Sequence, residues 1–183
     1  MIRVRAEVER STNVVTVPNE DMEIFLDANN NPFTLPVDEE VVWRISGYAL
    51  VNSEEGKILM VVPTWNTLWE LPGGGVEVSE RIRDGIKREC LEETGYSILV
   101  SDQPFHVSER NFYHRHEKKY YHSVVMVYLG ELLSEQQDIG FVNTQDGNEI
   151  SKIDWVSLEE LSEQNCHPTI YPAIQQLKDH PIR

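Results

Sequence analysis

The chain has two cysteines in 183 residues, Cys90 and Cys166, too few for a disulfide framework and not in a CxxC spacing. That usage implies a reducing compartment, and the expected location is the cytoplasm. No stretch approaches the roughly 18 consecutive apolar residues that a membrane span requires. The opening MIRVRAEVER alternates charges with aliphatics and lacks the apolar core of a secretory signal. Basic residues are scarce as well: 16 Lys and Arg stand against 31 Asp and Glu, for a formal charge of −15. A surface so acidic repels duplex phosphates and excludes a general nucleic-acid footprint. Small anionic substrates stay open, because a bound divalent cation reverses the local sign. Internal repeats and low-complexity tracts are missing too, and 40% hydrophobic residues suit one soluble domain with a real core.

Residues 1–36 differ in character from the rest and read as a short β extension, with the main domain over residues 37–183. Alternation over 4–17 around Ser11-Thr12-Asn13 suggests a hairpin. Ile24-Phe25-Leu26 then runs into the turn formers of 27–32. This extension either covers the main sheet or pairs with a second subunit in a homodimer. Beyond it, 41–51 and 58–62 are β-rich and joined by a turn at 52–56, the pattern of a hairpin. A brief strand is expected at 68–71, a helix over 82–94 ended by Gly95 at its C-cap, and strands at 97–100, 105–112 and 119–129. In the last, both alternating sets are apolar, which suits a strand covered on both faces. A polar loop of about 20 residues, long for an idle connection, precedes a strand at 150–156. Helices are expected at 158–164 and 170–180. Strands interleaved with helices give an α/β sandwich.

Chemistry concentrates in residues 74–96, GGVEVSERIRDGIKRECLEETGY. Glu89, Glu92 and Glu93 fall within an arc of about 100° on one helix face. Crowded carboxylates repel one another by a few tenths of a kcal/mol per pair, and a cation among them relieves this. Oxygen-only ligation favours Mg²⁺ or Mn²⁺ over zinc. The preceding Pro72-Gly73-Gly74-Gly75 lets the backbone approach a metal or phosphate closely. Arg88 can pair with Glu92 one turn on, or reach back to Glu80 as a bidentate clamp.

This segment resembles the Nudix box: Gly, five residues, Glu, seven residues, Arg-Glu, an aliphatic, any residue, Glu-Glu, any residue, Gly, an aliphatic. Gly74, Glu80, Arg88, Glu89, Glu92, Glu93 and Gly95 match, and 69–73, WELPG, is similar to the family's lead-in. Cys90 and Tyr96 depart, standing where the family prefers Ile, Leu or Val. The resemblance implies a Nudix-type α/β/α sandwich with a central mixed β-sheet. It implies a Mg²⁺-dependent (or Mn²⁺-dependent) hydrolase that opens the diphosphate linkage of a small nucleoside diphosphate derivative by water attack at phosphorus. Metal ligands would be Glu89, Glu92, Glu93 and the Gly74 carbonyl, with Glu80 and Gly95 structural and Arg88 serving catalysis. The general base would be Glu89 or a downstream carboxylate, of which Glu149 and Asp146 qualify.

Trp69, Tyr113 and Arg44 are candidate substrate contacts, the aromatics by stacking on a base. Trp65 and Tyr121 share that property. His114, His116 and His122 raise a zinc site but lack a paired ligand spacing. Two rival readings remain: a prenyl-diphosphate isomerase, which lacks its cysteine here, and a non-catalytic nucleotide-binding module.

Overall fold

The computed structural model describes residues 24–27, 31–36, 38–115, 117–138 and 149–181. In chain order the elements are β1 (Ile24–Leu26), β2 (Pro32–Thr34), β3 (Val41–Val51), β4 (Lys57–Pro63), β5 (Gly73–Gly75), α1 (Ile82–Thr94), β6 (Ile98–His114), β7 (Lys119–Leu132), β8 (Ile150–Ser157) and α2 (Tyr171–Asp179). Six strands form one mixed sheet in the order β2-β1-β6-β7-β3-β5, and β4 pairs with β8 in a second. Within the large sheet, β3 lies parallel to β7 and β1 parallel to β6, while the other pairs are antiparallel. No helix among the described residues is long and apolar enough to cross a membrane.

The period-2 alternation of β3 builds two cores. Tyr48 and Leu50 join the cluster of α2, with Ile170, Ile174 and Leu177. Ala49 and Val51 face the other way, into the cluster with Ile86 and Cys90 of α1. In β7, Val125 and Val127 belong to the first core and Tyr128 to the second, so the doubly apolar pattern is a strand covered on both faces. Helices on opposite sides of one sheet give the expected α/β/α arrangement. Fully buried Ile86 alone contributes roughly 2 kcal/mol through removal from water.

Several local expectations differ from the structure. β3 and β4 do not make a regular hairpin: apart from one bridge, Asn52 with Ile58, they diverge into separate sheets. Residues 68–71 make only isolated bridges, Val61 with Glu70 and Trp69 with Cys166. The two strands expected between 97 and 112 are one, β6, irregular in register between Val100 and His106. Residues 158–164 form turns rather than a helix. Asn165 explains this, since its Oδ1 accepts from Ser162 N at 2.7 Å and its Nδ2 donates to the Glu160 carbonyl at 2.8 Å. Such local side-chain bonds offer the backbone an alternative to helix.

Of the expected β extension, β1 and β2 form a short hairpin on the outer edge of the large sheet, with Leu26 opposite Phe112. Phe25 is buried there, edge-on to Tyr120 at 5.8 Å. The hairpin expected over 4–17 lies outside the described residues.

Candidate active site

The glycine loop and α1 hold one another in place. Gly73 has φ +145°, and a Cβ there would stand 2.2 Å from the Gly47 carbonyl oxygen, so only glycine fits. Gly47 in turn lets α1 approach, because its Cβ would meet Ile86 Cγ1 at 2.7 Å. At the far end, Gly95 takes φ 73° and donates its N–H to the Leu91 carbonyl at 2.8 Å, an αL cap. The helix is thus fixed at the sheet edge with its acidic face toward β5.

Arg88 is the hub of that face. It grips Glu80 with two bonds, Nη2 to Oε1 at 2.8 Å and Nε to Oε2 at 3.2 Å. Its Nη1 donates to Glu89 and to Glu92, each at 3.0 Å. Both pairings that the sequence allowed are therefore made at once. The clamp holds the Glu80 carboxyl below the usual carboxylate range. Glu80 also accepts from the Glu77 N–H at 2.9 Å, so the loop before α1 is tied to the helix.

Glu89 and Glu93 behave oppositely to Glu80. Burial pushes the Glu89 carboxyl up, and the Arg88 charge only partly offsets this. Glu93 is pushed well above the ordinary range by burial first and then by the Glu89 charge, although it accepts the Gly73 N–H at 2.8 Å. Glu70 is also raised by burial, and Asn66 Nδ2 donates to it at 2.9 Å. A wall of carboxylates that resist ionisation is costly by itself, and a cation beside it reverses the cost. Carboxylate and backbone oxygens form the donor set, which suits a hard divalent ion. As placed, no three His, Cys, Asp or Glu side chains among the described residues converge on one metal position.

These groups line a cleft of about 800 Å³. Glu89, Glu93 and Gly74 form one wall, and Glu149 stands exposed at its rim with its carbonyl accepting from Thr64 N at 2.7 Å. Arg44, Ser46 and Tyr48 of β3 face them from the sheet, with Ser123 of β7 and Arg110 of β6. Arg44 lies over Tyr121 at 5.2 Å, pairs with Glu117 at 3.4 Å and fills the space that a side chain at Gly75 would need. Arg110 Nη1 donates to Thr169 Oγ1 and lies 3.1 Å from His167 Nδ1. Burial, with the Arg110 charge beside it, drops the His167 pKa to about 3, so the ring is neutral.

The structure brings together most of the residues singled out from sequence, but not all. Glu89, Glu93, Gly74, Glu149, Arg44 and Tyr113 line the cleft. Glu92 does not, being engaged with Arg88. Trp69 does not either; it packs under Lys152 Nζ, 4.4 Å from the ring centroid, and its neighbour Trp65 lines the cleft instead. Of the histidines, His114 lines the cleft while His122 meets Trp43 edge-on at 4.3 Å. His116 and Asp146 lie outside the described residues. Glu70 lay in the 69–73 lead-in without being singled out, and Tyr48, Arg110 and the His167–Thr169 pair carried no sequence signal, since they come from three separate segments that no spacing joins.

The model of the NUDIX domain matches residues 43–177. The chain is 41% identical over 54 residues to a putative 8-oxo-dGTP diphosphatase of Bacillus subtilis (strain 168), covering 30% of this chain and 36% of that protein. It is 31% identical over 96 residues to the nucleoside triphosphatase NudI of Salmonella newport (strain SL254), covering 51% of this chain and 64% of that one. The match thus spans between about a third and two thirds of the length of these relatives. Among solved structures, a NUDIX hydrolase from Nitrosomonas europaea superposes with a TM-score of 0.59 at 20% identity, over 75% of this chain and 90% of that one. That likeness concerns the fold.

Proposed function

The chain belongs to the Nudix family, and we propose that it is a Mg²⁺-dependent hydrolase cleaving the diphosphate linkage of a nucleoside diphosphate derivative. One observation carries the reading: partly buried, ionisation-resistant carboxylates form one wall of a cleft whose other wall presents two arginines. Anion and divalent cation are both provided for, and a diphosphate bound through metal needs both. The relatives act, by their names, on nucleoside triphosphates and on 8-oxo-dGTP, which supports a phosphoanhydride substrate without naming it.

In this reading Glu89 and Glu93 hold the ion, with the Gly74 carbonyl beside them. When bound, the ion activates water and offsets charge on the phosphoryl group. Arg88 keeps Glu89 oriented through its 3.0 Å bond and anchors the helix to Glu80. Glu92, held by the same arginine, would be a further ligand to the ion. Glu149, exposed at the rim, takes the proton from the attacking water. Arg44 contacts the substrate from the sheet side, and Tyr113 with Trp65 at the mouth stacks on the base. The unit that does this spans residues 37–183, in the cytoplasm.

The test is a chromatographic screen for nucleotide products over nucleoside triphosphates, nucleotide sugars and dinucleoside polyphosphates with Mg²⁺ or Mn²⁺. Turnover of at least one class is expected, vanishing in chelator and returning with metal. Full turnover in chelator refutes the mechanism.

A further inference from the structure

One end of the cleft is rich in hydrogen-bond donors. Arg44 of β3 and Arg110 of β6 are both the register partners of Ser123 on β7, so the three residues form a single rung across the sheet. Neighbouring strands lie about 4.8 Å apart, which places the two arginine Cα atoms roughly 10 Å from one another with the serine between. All three line the cleft. Beneath them the Ser123 hydroxyl meets the Ser46 hydroxyl at 2.8 Å, buried, so one hydroxyl proton of the pair is used internally.

The groups beside the rung are donors as well. His167 Nδ1 faces Arg110 Nη1 at 3.1 Å and the Thr169 N–H at 3.3 Å. Both of those can only donate, so Nδ1 is the acceptor and the neutral ring carries its proton on Nε2. The Tyr48 phenol is held far above its ordinary pKa by burial and by Glu70, so it keeps its proton and can donate. Thr169 and His167, anchoring Arg110, come from the segment that leads into α2, so the guanidinium is braced from outside the sheet. Two guanidinium groups, a phenol and an imidazole N–H thus share one region of the cleft. A nucleobase edge mixes donors and acceptors and would leave some of them mismatched. A group that only accepts, and carries negative charge, matches these donors, and two cationic groups there outweigh the nearby Glu70 and Glu117 carboxylates only in part.

We propose that the Arg44–Ser123–Arg110 rung, with Tyr48 and His167, is a subsite for an anionic, acceptor-only group of the substrate, a phosphate or a carboxylate. This group binds the sheet-side wall of the cleft, across from Glu89 and Glu93, and the inference rests on the hydrolase reading above. The preferred substrates then carry a second acidic group beyond the diphosphate. A nucleotide sugar acid, or a nucleotide bearing a further phosphate, is favoured over its neutral counterpart.

Anion binding is measured apart from turnover, by calorimetric titration of the full chain with inorganic phosphate, and in parallel with succinate, in excess chelator. Phosphate, succinate or both bind, and the arm that binds identifies the group. Arg110→Met weakens that binding by about tenfold or more, and Arg44→Met does so from the other end of the rung. Arg110→Lys, which keeps the charge but loses the fork, restores part of it. Melting curves identify a variant that fails to fold, and Arg44→Met, the less enclosed position, then decides. Absence of binding in both arms, or binding that the folded variants leave unchanged, overturns the subsite even when the nucleotide screen shows metal-dependent hydrolysis. Anion binding lost in the variants while every nucleotide stays intact supports the subsite and refutes the hydrolase.

Discussion

Replacing Glu93 by glutamine should make the metal-free protein more stable, and the size of the gain should depend on pH. Glu93 accepts the Gly73 N–H at 2.8 Å, and a glutamine amide oxygen can keep that bond. What the substitution removes is a carboxylate that burial and the Glu89 charge make hard to ionise. Part of the side chain still meets the cleft, so the relief belongs at the lower end of the cost of a buried polar group, about 1 kcal/mol. For a chain of this length that corresponds to a rise of about 2–4 °C in Tm. The sign follows from linkage. Glu93 has a folded pKa raised above its unfolded value, so the folded state binds the extra proton. Its penalty is nil below the ordinary carboxylate range and grows as pH rises from about 4.5 through the folded pKa. The variant and the parent should therefore melt together near pH 4 and diverge toward pH 8 in chelator. With Mg²⁺ the order reverses, because an ion bound only by the native state stabilises in proportion to its affinity, and the variant binds it less. Thermal scans at several pH values, with chelator and with Mg²⁺, are sufficient. A variant that melts below the parent at pH 8 in chelator, or a difference flat with pH, would refute the reasoning.

Arg88→Met should cost about 3 kcal/mol, because three carboxylates lose one cation, whereas Arg83→Met should stay within about 0.5 kcal/mol. The contrast follows from exposure, since the partner of Arg83, Asp102, is 88% exposed while the Glu80 partner of Arg88 is 16% exposed; urea titration of both variants measures it. Gly73→Ala should lose on the order of 3 kcal/mol and most activity, as its methyl group meets backbone rather than a movable side chain. Wild-type Tm with normal turnover in that variant would mean that the loop yields easily. Glu149→Gln should lower kcat by on the order of 100-fold with KM little changed. An unchanged kcat moves the base to Glu89 or Asp146.

What was legible in the sequence is what local chemistry decides. The helix expected over 82–94 is α1 (Ile82–Thr94), because its apolar face, its glutamate spacing and its Gly95 cap all lie within one stretch. The carboxylate wall came with it. The β3–β4 hairpin did not, since its turn residues are local but its pairing is not: β3 takes β7 and β5, and β4 takes β8. Trp69 was read by proximity to the box, yet its ring sits against Lys152 of a strand far along the chain. Arg110 and His167 meet across 57 residues and Arg110 and Thr169 across 59, distances at which no spacing rule operates.

The Arg88 clamp has a consequence for how such a protein diversifies. Glu80, Arg88, Glu89 and Glu92 are tied to one another within 13 consecutive positions, so this half of the cleft is inherited as a block and tolerates little piecemeal change. The facing half is assembled from positions on β3, β6, β7 and the approach to α2, elements separate from the helix that carries the clamp. Substitutions at well-separated sites without common partners act almost independently. Lineages descending from this chain can therefore exchange Arg110 with His167 and Thr169, or Ser46 with Ser123, and shift what they accept, while the carboxylate helix passes through unaltered.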